Sequence, residues 1–153
     1  MARKIIAAVA AAFVSMAANA APADHYSVAD LTKMMGALKT QAANGGAAST
    51  TLATYSGHHT MLAYRNRDGA GELHQHYADI FYIVRGKATL VTEGKLIDSK
   101  EDTAGELRGS GVADGTTTEL EAGDVVHIPA GTPHQLKIAK GSELLYFVVK
   151  IKE

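Results

Sequence analysis

The chain has 153 residues, 46% of them hydrophobic, with 15 basic and 16 acidic side chains for a net charge of −1. That length fits one domain with a real core, and so mild a charge, with no basic run longer than two, argues against nucleic acid or an anionic membrane surface as partner. Cysteine is absent, which excludes disulfides, iron–sulfur clusters and a thiolate nucleophile.

In chain order, Arg3-Lys4 is a short positive region and Ile5 to Ala18 an apolar run, closed by the A-x-A site Ala18-Asn19-Ala20. This pattern predicts a secretory signal peptide over 1–20, since the run is too short to span a bilayer comfortably. Export to the periplasm or outside the cell follows, with no membrane association after cleavage. Losing Arg3 and Lys4 leaves 13 basic against 16 acidic residues, a net of −3.

Residues 21–49 are expected to form a helix and a linker. Leu31, Met34, Met35 and Leu38 recur at helical period between Asp24 and Ala43, and Ser27 with Asp30 resembles a capping box with Asp in place of Glu. The methionine pair suits core packing better than a metal or cofactor site. From Thr50 the pattern changes to short β-prone runs with glycine-rich turns, so 50–153 is expected to be an all-β domain, a sandwich or barrel. Within it, Leu96 to Gly115 is a long polar insertion of the kind that forms a flap, a small hairpin or a functional loop.

The chemistry concentrates in two stretches, Glu72 to Gly86 and Gly123 to His134. His74 and His76 are two apart, so an extended strand sends both side chains to one face. Asp79 follows with a carboxylate, and His134 stands just past a Pro-Ala-Gly-Thr-Pro turn that can aim it back at the first pair. Together they predict a metal site of three imidazoles and one carboxylate, His74, His76, Asp79 and His134. Asp79 is either a direct ligand or a partner that orients an imidazole. Such a site suits one divalent transition metal, whether iron, manganese, nickel, copper or zinc.

His127 shares strand parity with Val125. It either points into the barrel as a catalytic acid–base group or lies on the sheet surface. His58 and His59 are adjacent and point opposite ways, which suits loop or surface. Phe81, Ile83 and Leu90 read as core. Arg65, Arg67 and Arg108 can clamp a substrate carboxylate, or stand as isolated solvated charges. No G-x-S-x-G elbow, phosphate loop or H-E-x-x-H is present.

The two stretches resemble the paired motifs of the cupin superfamily, G-x5-H-x-H-x(3,4)-E-x6-G and G-x5-P-x-G-x2-H-x3-N. His74, His76, Asp79 and Gly86 stand for the first motif, and Gly123, Pro129, Gly131 and His134 match the second at its spacing. Asp79 replaces Glu, only two residues separate it from His76, Ile138 stands where Asn ends the second motif, and Asp68 occupies the upstream glycine position. The resemblance covers roughly Thr51 to Val149. It implies a jelly-roll barrel, a double-stranded β-helix, with a metal inside acting on a small organic molecule as a dioxygenase, isomerase or lyase, with dioxygenase-type chemistry preferred. The alternative is a non-catalytic metal- or small-molecule-binding protein of the cell envelope. A homodimer is a further expectation of the family.

Overall fold

A computed structural model describes residues 22–153, so the expected signal peptide lies outside the described residues. The first element is helix α1 (Val28–Gln41). Ser27 caps it: its hydroxyl oxygen accepts from the Asp30 backbone N–H at 3.1 Å and donates to the Asp30 carboxylate at 2.6 Å. Leu31, Met35 and Leu38 are buried along one side.

Twelve strands follow: β1 (Ala47–Thr54), β2 (His58–Arg65), β3 (Gly71–His74), β4 (Tyr77–Thr92), β5 (Lys95–Ile97), β6 (Lys100–Thr103), β7 (Glu106–Gly109), β8 (Gly111–Ala113), β9 (Thr116–Glu121), β10 (Val125–Ile128), β11 (His134–Lys137) and β12 (Leu144–Lys152). The barrel starts three residues before Thr50, because Ala47 to Ser49 already pair with β2. All pairings are antiparallel, in two main layers. One runs β1-β2-β12-β4-β10 and the other β9-β4-β11-β3-β7-β6, while β5 and β8 pair separately.

Strand β4 belongs to both layers. Its first half pairs with β12 and β10, its second half with β9 and β11. The crossing is made at a bulge beside Val84 and at Gly86, whose φ of 94° suits glycine and whose Cβ would strike the Glu143 carbonyl oxygen. The bulge also flips the side-chain parity. Phe81 and Ile83 face inward before it, Ala88 and Leu90 after it, and Val84 points out.

The layers enclose a core that includes Ala63, Phe81, Ile83, Leu90, Leu120, Ile128, Leu136, Leu144 and Val148. A second cluster lies outside, where Leu31, Met35 and Leu38 of α1, with Ala42 just past its end, pack on Leu62, Tyr64, Val84 and Leu145. The helix thus covers the outer face of the first layer, and Met35 is core filler. The 95–113 region is no detached flap. Its strand β7 pairs with β3 and carries the second layer outward to β6.

Candidate metal centre

Four side chains from three strands converge at one end of the core. Glu72 and His74 stand two apart on β3, so they share its inner face. His134 opens β11 directly opposite Glu72, and Asp79 arrives from β4 in the other layer. The His74 Nε2 atom lies 3.6 Å from Glu72 Oε2 and 3.4 Å from Asp79 Oδ2. The His134 Nε2 atom lies 3.9 Å and 3.8 Å from the same two oxygens. Glu72, His74 and His134 satisfy the spacing of a metal-ligand cluster, and Asp79 closes the fourth side.

Neighbours fix how each group points. His74 Nδ1 meets Glu106 Oε2 at 2.5 Å, and His134 Nδ1 meets the Thr132 carbonyl oxygen at 3.0 Å. An Nδ1–H donated to such acceptors turns Nε2 toward the centre, the arrangement that orients a metal-bound histidine. The carboxylates are split in the same way. Glu72 Oε1 takes Arg108 and, at 3.5 Å, Arg65; Asp79 Oδ1 accepts from Lys150 Nζ at 2.8 Å. Each carboxylate therefore keeps one oxygen for the centre.

Charge follows geometry. Burial disfavours the ionised Glu72, but His74, Arg108 and Arg65 outweigh it and hold its pKa down at about 2. Burial also opposes a proton on His74, yet Asp79 and Glu72 overcome it and push that pKa up to about 9. Asp79 is lowered against its own burial by His74 and Lys150, while burial pushes His134 down. Both buried Nε2 atoms nevertheless lack any hydrogen-bond partner. Unsatisfied buried polar atoms are uncommon and each costs about 1–3 kcal/mol. Two partnerless nitrogens and two carboxylate oxygens facing one point fit a divalent cation, which would displace the second proton of His74.

The sequence-predicted site is thus partly assembled and partly corrected. His74, Asp79 and His134 come together, but His76 does not join them. The chain bends at Gln75 and His76, so the strand geometry that would align His76 with His74 ends, and the His76 side chain is exposed near Gly105. The side chains that converge are two imidazoles and two carboxylates, where three imidazoles and one carboxylate are expected from the sequence. The parity rule holds one step earlier, from His74 back to Glu72. Read from Glu72, four residues separate the second position, His74, from Asp79, and the first-motif spacing of the cupins is restored.

His127 is a second correction. On β10 it pairs with Ile80 and is exposed, as is Val125, while Ile128 on the alternate side is buried. Its side chain is turned away from the candidate centre. Arg67 lies at the surface near the Asn44 carbonyl, His58 stacks on Tyr55, and His59 stands edge-on to Tyr77. Glu106 was not foreseen because it sits in the polar insertion. Only the pairing of β7 with β3, His74 opposite Glu106 and Glu72 opposite Arg108, brings it in.

Beside the centre lies a cavity of about 280 Å³. Met61, Ala63, Phe81 and Val148 supply apolar wall, and Arg65, Glu72, Asp79, Arg108, Tyr146 and Lys150 supply polar groups. The Tyr146 hydroxyl oxygen accepts from Arg65 Nε at 3.1 Å.

No protein-family model and no curated protein sequence matches the chain. Solved structures do match it in fold. The Schizosaccharomyces pombe Cnp3 cupin domain superposes with a TM-score of 0.54 at 11% identity, covering 72% of this chain and 67% of that one. The polyketide cyclase RemF from Streptomyces resistomycificus gives 0.52 at 19% identity over 71% and 67%. The DMSP lyase DddQ from Ruegeria pomeroyi gives 0.51 at 17% identity over 69% of this chain, which spans only 46% of the lyase.

Proposed function

We propose that this chain, whose fold is that of the cupins, is a metal-dependent protein acting on a small organic molecule, with one divalent metal held by Glu72, His74, Asp79 and His134. The observation that carries this reading is the pair of buried, partnerless Nε2 atoms aimed at two carboxylate oxygens. A divalent metal held by Glu72, His74, Asp79 and His134 would supply Lewis acidity, or a centre for the activation of dioxygen. Two imidazoles with carboxylate suit iron(II), manganese and their neighbours, and no thiolate is present to favour structural zinc.

The chain's own residues prepare the rest. Glu106 and the Thr132 carbonyl keep protons on the Nδ1 atoms and so turn both Nε2 atoms toward the centre. The apolar wall of Met61, Phe81 and Val148 limits water, and the Tyr146 hydroxyl, which accepts from Arg65, lines the cavity with its own proton not used in that bond. Dioxygenase-type chemistry is the first reaction class to assay. On the reading of residues 1–20 as an export signal, it takes place in the periplasm or outside the cell.

The test is to strip the protein with chelator, reload it with single divalent metals, and follow melting and oxygen uptake with a panel of small organic molecules. Saturable stabilisation by a metal together with metal-dependent turnover supports the reading. Metal binding without turnover of any panel member favours the non-catalytic binding alternative. No stabilisation by any metal contradicts the reading.

A further inference from the structure

The cavity carries more positive charge than its own carboxylates need. Arg65, Arg108 and Lys150 line it against Glu72 and Asp79, an excess of one before any metal is present. Glu106, 3.8 Å from Arg108, is the one further carboxylate beside it among the described residues; with a divalent metal on Glu72 and Asp79, two positive charges stay in excess. On the metal-centre reading above, from which this follows, we propose that the ligand is a small organic acid, its carboxylate drawn to the centre by Lys150 and Arg65 and its apolar body laid on Met61, Phe81 and Val148.

The placement of the donors supports this. Arg65 on β2 and Lys150 on β12 both face the cavity from the first layer, across from Glu72 and His134 in the second. They approach the centre from its two sides, Arg65 by Glu72 and Lys150 by Asp79. Neither is saturated. An ammonium has three donors and a guanidinium five; Lys150 spends one on Asp79, and Arg65 spends Nε on Tyr146 and one more, at 3.5 Å, on Glu72. Both side chains are only 18% exposed, so water satisfies little of what is left. A ligand without a negative group would leave the remaining donors of these two cations without an anionic partner inside the protein, and sites with buried charged donors reject such analogues strongly. The volume of about 280 Å³ limits the acid to a small one.

The experiment is calorimetric titration of the metal-loaded protein with short-chain mono- and dicarboxylic acids and their primary amides, with metal content measured on the same samples. Acids are expected to bind about tenfold or more tightly than their amides, the effect of losing one hydrogen bond between charged partners. Lys150→Gln, which keeps a donor for Asp79 but drops the charge, is expected to retain metal and lose a similar factor for acids alone. Equal binding of acids and amides to metal-replete protein overturns the organic-acid assignment and leaves the metal centre standing. A protein that holds no metal yet prefers acids overturns the metal centre and keeps the anion pocket. No metal and no preference overturns both. Should Lys150→Gln fail to fold, the acid and amide comparison on the unaltered protein still decides the matter.

Discussion

Two buried regions lie on opposite faces of the β2-β12-β4 layer, and they are built by opposite rules. Outside, α1 and the sheet share an apolar cluster in which Leu38, Leu62 and Leu145 are almost wholly removed from water. Inside, at the end of the barrel, His74, Asp79 and His134 are just as buried, yet they bring charge, and two nitrogens with no partner. The first region needs nothing more than packing. The second leaves two buried nitrogens without a partner, and that contrast separates a stabilising core from a candidate metal centre.

The sharpest break of this contrast is Leu38→Ala, which opens a cavity in the outer cluster. It is expected to lower unfolding free energy by about 2–5 kcal/mol, read by denaturant melts, while metal per folded chain stays as before. A variant that lost metal in step with stability would mean that the two regions are not separable. Next comes His134→Ala. Metal-dependent stabilisation, about 2.7 kcal/mol when free metal is a hundredfold above Kd, is expected to vanish. The chelated variant should lose only the Nδ1 bond to the Thr132 carbonyl and the packing of a small cavity, because Nε2 has no partner to lose.

Glu106→Gln probes the orientation of His74 by its neighbour. Removing such a partner lowers metal affinity by about 10–100-fold, measured by competition with a chelator, with little change in the melt of the metal-free protein. The smallest effect is expected from His127→Ala: a histidine exposed on the outer face of β10 should leave metal affinity unchanged and stability within about 0.5 kcal/mol. A loss of metal there would reopen the catalytic expectation that the structure closed.

Much of this was legible because local rules are strong where periodicity is clean. Leu31, Met35 and Leu38 behave as the helical spacing predicts, Ser27 and Asp30 form the cap, and Phe81, Ile83 and Leu90 enter the core. His134 was legible from its turn, and Asp79 from its place on the strand. Three things were not. The bend at Gln75 and His76 breaks strand parity within a run that reads as extended, so the rule was carried forward from His74 to His76 when it held backward to Glu72. The face of His127 depends on which side of β10 packs inward, which alternation alone leaves open. Glu106 and Arg108 lie more than thirty residues from their partners His74 and Glu72, and only sheet register, a long-range property, joins them.

The claim that Glu72 takes the place His76 was expected to hold can be tested directly by elemental analysis of metal in three purified proteins: wild type, Glu72→Ala and His76→Ala. The account predicts stoichiometric metal in wild type and in His76→Ala, and its loss in Glu72→Ala. Metal retained without Glu72 but lost without His76 would contradict it and return the three-imidazole site.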